Sequence, residues 1–272
     1  MSPIRRIDAC FSRLAGQRAA FVPYVTAGDP DLDATFDILC GLAQGGADLI
    51  ELGVPFSDPM ADGPVIEAAM NRALAAGTTL AGVLALTARF RARYPDLPLV
   101  LFGYLNPLHR RGLARIAAEA REAGADGFLV VDLPPEEAPA LTGHLAAHEL
   151  DFIALFTPTS DDVRVTAIAE VASGFAYYVS MNAITGDRLV DLAPVASRVA
   201  ALRSRTGLPI CVGFGIATPA DAGAVAAFAD GVIVGSALVR ALSEVPRDAL
   251  AATARDLATR FRAAIDAVPA QA

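Results

Sequence analysis

Short runs of Val, Ile, Leu, Phe and Ala recur along the whole chain, at residues 20–25, 48–52, 99–102, 127–131, 152–156, 176–180, 210–212 and 231–234. Most are apolar at consecutive positions rather than at alternate ones. That pattern fits strands covered on both faces, as in a parallel sheet. Between them lie Ala/Leu/Arg/Glu-rich helical stretches at 32–43, 80–92, 116–123, 138–148 and 194–205. Eight strands alternating with helices predict an α/β protein of the (β/α)8 TIM barrel class. An amphipathic segment at 7–14 adds an extra N-terminal helix, and a helix from 247 to about 267 follows the last strand. With no compositional break to mark a linker, residues 1–272 are expected to form one barrel domain. An open doubly wound sheet is the competing architecture, but it wants a Gly-x-Gly-x-x-Gly turn after its first strand. Thr26-Ala27-Gly28-Asp29-Pro30 is not one. Gly46-Ala47-Asp48, Gly124-Ala125-Asp126 and Ala229-Asp230 recur where a helix passes into a strand. Such residues suit αβ joints in general, so the repetition is weak evidence for an internal repeat.

Composition narrows the chemistry. At 54% hydrophobic and 19% charged, the chain has material for a large core. No apolar run approaches the roughly 18 residues of a spanning helix, and the N-terminus lacks the apolar centre of a signal peptide, so a cytoplasmic protein without membrane contact is expected. A net charge of −8 opposes nucleic-acid binding. Arg89-Arg91-Arg93 and Arg110-Arg111 are expected on exposed faces. Cys10, Cys40 and Cys211 lie far apart and odd in number, against both a disulfide framework and a metal site, and read as small buried hydrophobes. His144 and His148 share helical spacing but lack a third ligand nearby, so no metal is expected and surface histidines are the better reading.

The second strand breaks the apolar pattern with Glu51. A carboxylate in a strand built for burial is costly to desolvate, and strand alternation puts Leu49 and Glu51 on one face. If that face is the lumen, Glu51 stands at the C-terminal mouth of the barrel, where proton-transfer groups belong. Asp62, in the loop that follows, precedes Gly63-Pro64. From spacing alone, a turn residue and a second working carboxylate are equally good readings of it. Gly213-Phe214-Gly215-Ile216 after strand seven and Gly235-Ser236 after strand eight each precede a helix, and Thr185-Gly186 follows strand six. Glycines there let backbone amides approach an anion, so a phosphorylated substrate is expected. Tyr24, Phe102, Tyr104 and Tyr177 near strand ends suit a flat apolar moiety, with core packing the alternative for each.

Phe21-Val22-Pro23-Tyr24-Val25-Thr26-Ala27-Gly28-Asp29-Pro30, the segment from Glu51 to Val65, Val131-Asp132-Leu133-Pro134-Pro135-Glu136-Glu137, Thr185-Gly186, Gly213-Phe214-Gly215-Ile216 and Gly235-Ser236 together resemble the tryptophan synthase α subunit family, in order and over nearly the whole chain. The resemblance implies retro-aldol cleavage of indole-3-glycerol phosphate to indole and glyceraldehyde 3-phosphate, without cofactor or metal. It makes Glu51 the proton shuttle and Asp62 the group that holds the indole N–H. Thr185 would orient Asp62, while Gly186, Phe214, Gly215, Gly235 and Ser236 would form the phosphate site. The family's partner is a pyridoxal-phosphate-dependent β subunit in an α2β2 complex, and Pro55, Asp58 and Asn106 match its contact surface. Phe175 stands where the family usually has tyrosine, Ala183 where it generally has glycine, and Asn182 where a small residue is usual. The Ala183 change would restrict loop closure if that position needs positive φ. A stand-alone indole-releasing lyase and a catalytically weak allosteric subunit of β are the competing readings.

Overall fold

The computed structural model describes residues 5–179, 192–213 and 215–269. Eight parallel strands close into a barrel in chain order. They are β1 (Ala20–Thr26), β2 (Ile50–Gly53), β3 (Leu99–Gly103), β4 (Gly127–Val130), β5 (Asp151–Phe156), β6 (Ala176–Val179), β7 (Ile210–Gly213) and β8 (Gly231–Val234), with β1 also pairing β8. Each expected strand is present, with ends displaced by two residues at most. Helices α1 (Arg6–Leu14), α2 (Leu32–Gln44), α3 (Pro64–Ala75), α4 (Leu80–Arg93), α5 (Leu105–Arg111), α6 (Leu113–Ala123), α7 (Pro139–Ala147), α8 (Asp162–Val171), α9 (Ala193–Thr206), α10 (Pro219–Ala226), α11 (Ser236–Ser243) and α12 (Leu250–Asp266) surround it. Among these described residues, no single helix is long and apolar enough to cross a membrane.

Strand alternation sorts the core into two layers. Ile50, Leu52, Leu99 and Leu101 face the helices, whereas Ala20, Val22, Leu49, Val100, Leu129, Ile153, Phe175, Cys211 and Ile233 fill the lumen. The floor is closed by α1, whose Ile7, Cys10, Phe11 and Leu14 join the lumen cluster. Phe175 is fully buried there, its ring centroid 5.7 Å from that of Phe11. A second close contact fixes α12. Gly41 and Gly45 of α2 face it, and a Cβ on Gly41 would come within 2.3 Å of the Ala251 carbonyl oxygen.

The recurring joint has a clear role at the N-terminal end of the strands. Asp48 donates its N–H to the Phe21 carbonyl at 3.0 Å, and its carboxylate accepts the Phe21 N–H at 3.0 Å. Asp126 clasps Leu99 in the same way at 2.9 and 2.8 Å, and Asp230 clasps Ile210 at 2.9 and 2.7 Å. Ser173 does so for Phe152 through its hydroxyl, at 2.9 and 3.0 Å. Four times among the described residues, then, the segment leading into an even-numbered strand grips the start of the odd one before it. Arginines pair with these carboxylates: Arg18 and Arg262 at the buried Asp48, Arg6 and Arg91 at the buried Asp126, Arg203 at the half-buried Asp230.

Arg91 corrects one expectation. It is not on an exposed face, because its side chain is only 14% exposed and donates to Asp126 and to the carbonyls of Gly124, Tyr94, Pro95 and Leu97. Cys10 and Cys211 are buried and Cys40 is half-buried, all three as free thiols. His144 is exposed and His148 half-exposed. Among the described residues, no cluster of His, Cys, Asp or Glu could hold a metal ion.

Candidate active site

At the C-terminal ends of the strands the lumen opens into a cavity of about 1440 Å³. Tyr24, Glu51, Asp62, Phe102, Tyr177, Gly215, Gly235 and Ser236, all expected from sequence, line it together. Val131, Leu155 and Ile233 complete its apolar wall. The last three were legible in principle, since each lies on the lumen-facing alternation of its strand. Room for the two tyrosines comes from the neighbouring strands. A Cβ on Gly53 would lie 2.2 Å from the Tyr24 Oη, and one on Gly213 would lie 2.2 Å from the Tyr177 Oη.

Glu51 points into this lumen beside Tyr24, its partner in the β1–β2 register. Its residue is 1% exposed, and neither carboxyl oxygen has a hydrogen-bond partner among the described residues. Burial without a compensating cation pushes its pKa up to about 8. At neutral pH Glu51 is therefore mostly protonated, an acid ready to give up a proton.

Asp62 sits in a different setting. The loop after β2 turns at Pro59, whose carbonyl accepts the Asp62 N–H at 3.0 Å, and α3 begins two residues later with Pro64 in its first turn. Burial raises the Asp62 pKa, and a hydrogen bond from the Tyr104 hydroxyl, 2.6 Å long, pulls it back down. Tyr104 was expected against substrate. It stands behind Asp62 instead, 2% exposed, with its ring 5.3 Å from Phe56. Two carboxyls thus open on one cavity in unequal environments, Glu51 without a hydrogen bond among the described residues and Asp62 with one that favours its ionised form.

The two helices after β7 and β8 differ at their N-termini. A reciprocal capping box between Thr218 and Asp221 occupies the start of α10. Among the described residues no side chain caps α11, which starts at Ser236 after Gly235. Ser236 and Ala237 at its start line the cavity, where their amides and the Ser236 hydroxyl can serve as donors for an anion, the Leu238 and Val239 amides being bonded to the Gly235 carbonyl. Gly215 adopts φ +79°, a conformation that suits glycine, where the β7 loop meets the same cavity.

Thr185, Gly186 and Phe214, with Asn182 and Ala183, lie outside the described residues. Of the expected partner-facing residues, Asp58 and Asn106 are exposed, whereas Pro55 is buried within the chain. Met60, in the same loop, is 87% exposed. The sequence pattern did not single it out.

A family model described as tryptophan synthase alpha chain matches residues 11–266. The tryptophan synthase alpha chain of Burkholderia pseudomallei (strain 1106a) is 49% identical over 262 residues, covering 96% of this chain and 97% of the relative. That of Burkholderia lata is 47% identical over 264 residues, covering 97% of each. Among solved structures, tryptophan synthase subunit alpha from Legionella pneumophila str. Paris superposes with a TM-score of 0.91 at 40% identity, covering 98% of this chain and all of the other. A chain of tryptophan synthase from M. tuberculosis superposes with a TM-score of 0.87 at 32% identity, covering 97% and 100%. These matches span the barrel and its cavity end to end, and the chain belongs to the tryptophan synthase alpha chain family.

Proposed function

We propose that this chain cleaves indole-3-glycerol phosphate to indole and glyceraldehyde 3-phosphate and passes the indole to a β subunit. The observation that carries the reading is Glu51: a buried and mostly protonated carboxyl, without a hydrogen-bond partner among the described residues, on an apolar cavity that also holds a helix N-terminus that no described side chain caps. The phosphate would rest on the Gly235-Ser236 start of α11 with Gly215 beside it, and the indole would lie among Tyr24, Phe102 and Tyr177. Glu51 would protonate indole C3, and the positive charge then spread over the ring and its nitrogen would be stabilised by the Asp62 carboxylate. The Glu51 carboxylate so formed would take the proton of the glycerol hydroxyl next to the breaking C–C bond. That bond's electrons return to the ring, the aldehyde leaves, and Glu51 ends protonated as it began. One carboxyl thus serves both steps, with no metal or cofactor required.

The exposed Asp58, Met60 and Asn106 support a partner face beside the catalytic loop, with pyridoxal phosphate held only by the β subunit in an α2β2 complex. We place the activity in the cytoplasm, in keeping with the free thiols of Cys10, Cys40 and Cys211. The test is indole release from indole-3-glycerol phosphate, with and without β. Cleavage by the chain that accelerates with β is the expected result, and absence of indole in both assays refutes the reading.

A further inference from the structure

Among the described residues, the hydrogen-bond donor to the Asp62 carboxylate is Tyr104, 42 residues along the chain. The Tyr104 hydroxyl also accepts the Ala61 N–H at 3.1 Å. A phenol has one proton, so an oxygen that accepts from Ala61 directs that proton to Asp62. The hydroxyl therefore grips the loop at two consecutive residues. Tyr104 is itself fixed from below. It immediately precedes α5 and provides no side-chain cap for it. The Asp132 carboxylate, from the loop after β4, accepts the Leu105 N–H at 2.7 Å instead. A side chain from the loop after the next strand thus holds the backbone at which the Tyr104 ring is rooted.

We propose that Tyr104 and Asp132 are positioning residues for Asp62. Asp132 anchors the start of α5, the anchored helix holds the Tyr104 ring, and the Tyr104 hydroxyl engages Oδ2 of Asp62 so that Oδ1 is left for the substrate N–H. The inference rests on the role given to Asp62 above. Both act through Asp62: Tyr104 is not among the groups that line the cavity, and the carboxylate of Asp132, which does line it, is engaged by the Leu105 N–H. Their effect is to keep Asp62 oriented and ionised while the apolar wall around it favours the neutral acid. The other titratable groups that feel Asp62 are Tyr24 of β1 and Tyr177 of β6, and Glu51 of β2, Asp132, Arg164 of α8, Asp221 of α10, Arg240 of α11 and Glu244 share the cavity. Of the two cations, Arg164 pairs with Glu136, and among the described residues neither arginine donates to Asp62 in place of Tyr104.

The test compares Tyr104→Phe, Asp132→Ala, Asp132→Asn and the double variant Tyr104→Phe/Asp132→Ala by kcat, KM and the pH dependence of kcat/KM. In parallel, the Asp62 carboxyl is titrated by 13C NMR, a readout that needs no turnover. Tyr104→Phe keeps the ring and removes the donor. Its acid limb and its Asp62 titration should move to higher pH, kcat should fall about tenfold for the lost charged hydrogen bond, and KM should change little. Asp132→Ala should move both curves in the same direction, Asp132→Asn, which keeps an acceptor, should restore them, and the double variant should match Tyr104→Phe alone. The alkaline limb assigned to Glu51 should stay in place throughout. An Asp62 titration unmoved in Tyr104→Phe overturns the proposal, as do Tyr104 and Asp132 effects that multiply in the double variant. Should Tyr104→Phe fail to fold, the Asp132 pair decides by the same curves. Wild-type chain that releases no indole while Asp62 still responds to Tyr104 would instead refute the assigned reaction and leave the positioning intact.

Discussion

Replacing Glu51 with glutamine should make the protein more stable and at the same time inactive. The side chain is buried without a partner, and its pKa of about 8 compares with 4.5 for the free group. As pH rises from 4.5, the unfolded chain releases this proton while the folded chain keeps it, so folding loses stability steadily until the folded group also ionises near pH 8. At about 1.4 kcal/mol per pH unit, the loss reaches about 3 kcal/mol at pH 7 and about 5 kcal/mol above pH 8. Glutamine has nearly the same shape and no charge to desolvate. Urea titrations of wild type and Glu51→Gln should give similar stabilities near pH 4.5, with the variant ahead by about 3 kcal/mol at pH 7. For a chain of this length that corresponds to roughly 5 °C in Tm. Indole release by the variant should fall by about two to four orders of magnitude, the usual worth of a positioned acid or base. A stability difference that stays flat between pH 4.5 and 8 would refute the burial argument. A variant that cleaves as fast as wild type would refute the assigned role.

Three further outcomes follow from the same geometry. The pH profile of kcat/KM should be bell-shaped, its alkaline limb near 8 as Glu51 loses its proton and its acid limb set by protonation of Asp62; activity that keeps rising beyond pH 9 would contradict the assignment. Gly53→Ala would put a methyl 2.2 Å from the Tyr24 Oη, and overpacking of this kind should cost about 1–3 kcal/mol in urea and weaken cleavage by displacing the ring from the cavity. Asp48→Ala would leave the Phe21 N–H without that acceptor and the buried Arg262 with Asp266 in place of two carboxylates, and should cost about 1–3 kcal/mol, with kcat per folded molecule unchanged because the change lies at the opposite end of the barrel.

The strands were legible because parallel strands buried on both faces leave uninterrupted apolar runs, and Glu51 was legible because it breaks one. Asp62 was ambiguous for a physical reason. What distinguishes it from a turn aspartate is the Tyr104 hydroxyl, and the contact between them depends on β2, β3 and α5 being assembled. Helices α3, α5 and α8 were expected only as the helix that follows each strand, without bounds: α5 is only seven residues long, and α8 carries charge at several of its ten positions. Arg91 was misjudged because an arginine among arginines resembles a solvated face, while its five acceptors are supplied by distant Asp126 and Gly124 and by carbonyls just past its own helix. The same limit applies to α10 and α11. Both begin after glycine-bearing loops, and only the capping box on one of them shows which start is left open to an anion.

The four clasps at the strand beginnings divide the molecule like a tool held in a chuck. Each pins one strand to the next at the closed end, with Asp48, Asp126, Ser173 or Asp230 as the jaw. A shift of one residue in any of these strands would exchange its lumen and helix faces, and the jaws prevent that shift without using any residue at the cavity end. Loops at the working end can therefore be lengthened, exchanged or grafted while the strands that carry Tyr24, Glu51 and Tyr177 stay in alignment. In such a chain new specificity is most readily built by replacing the loops after the strands and leaving every clasp untouched.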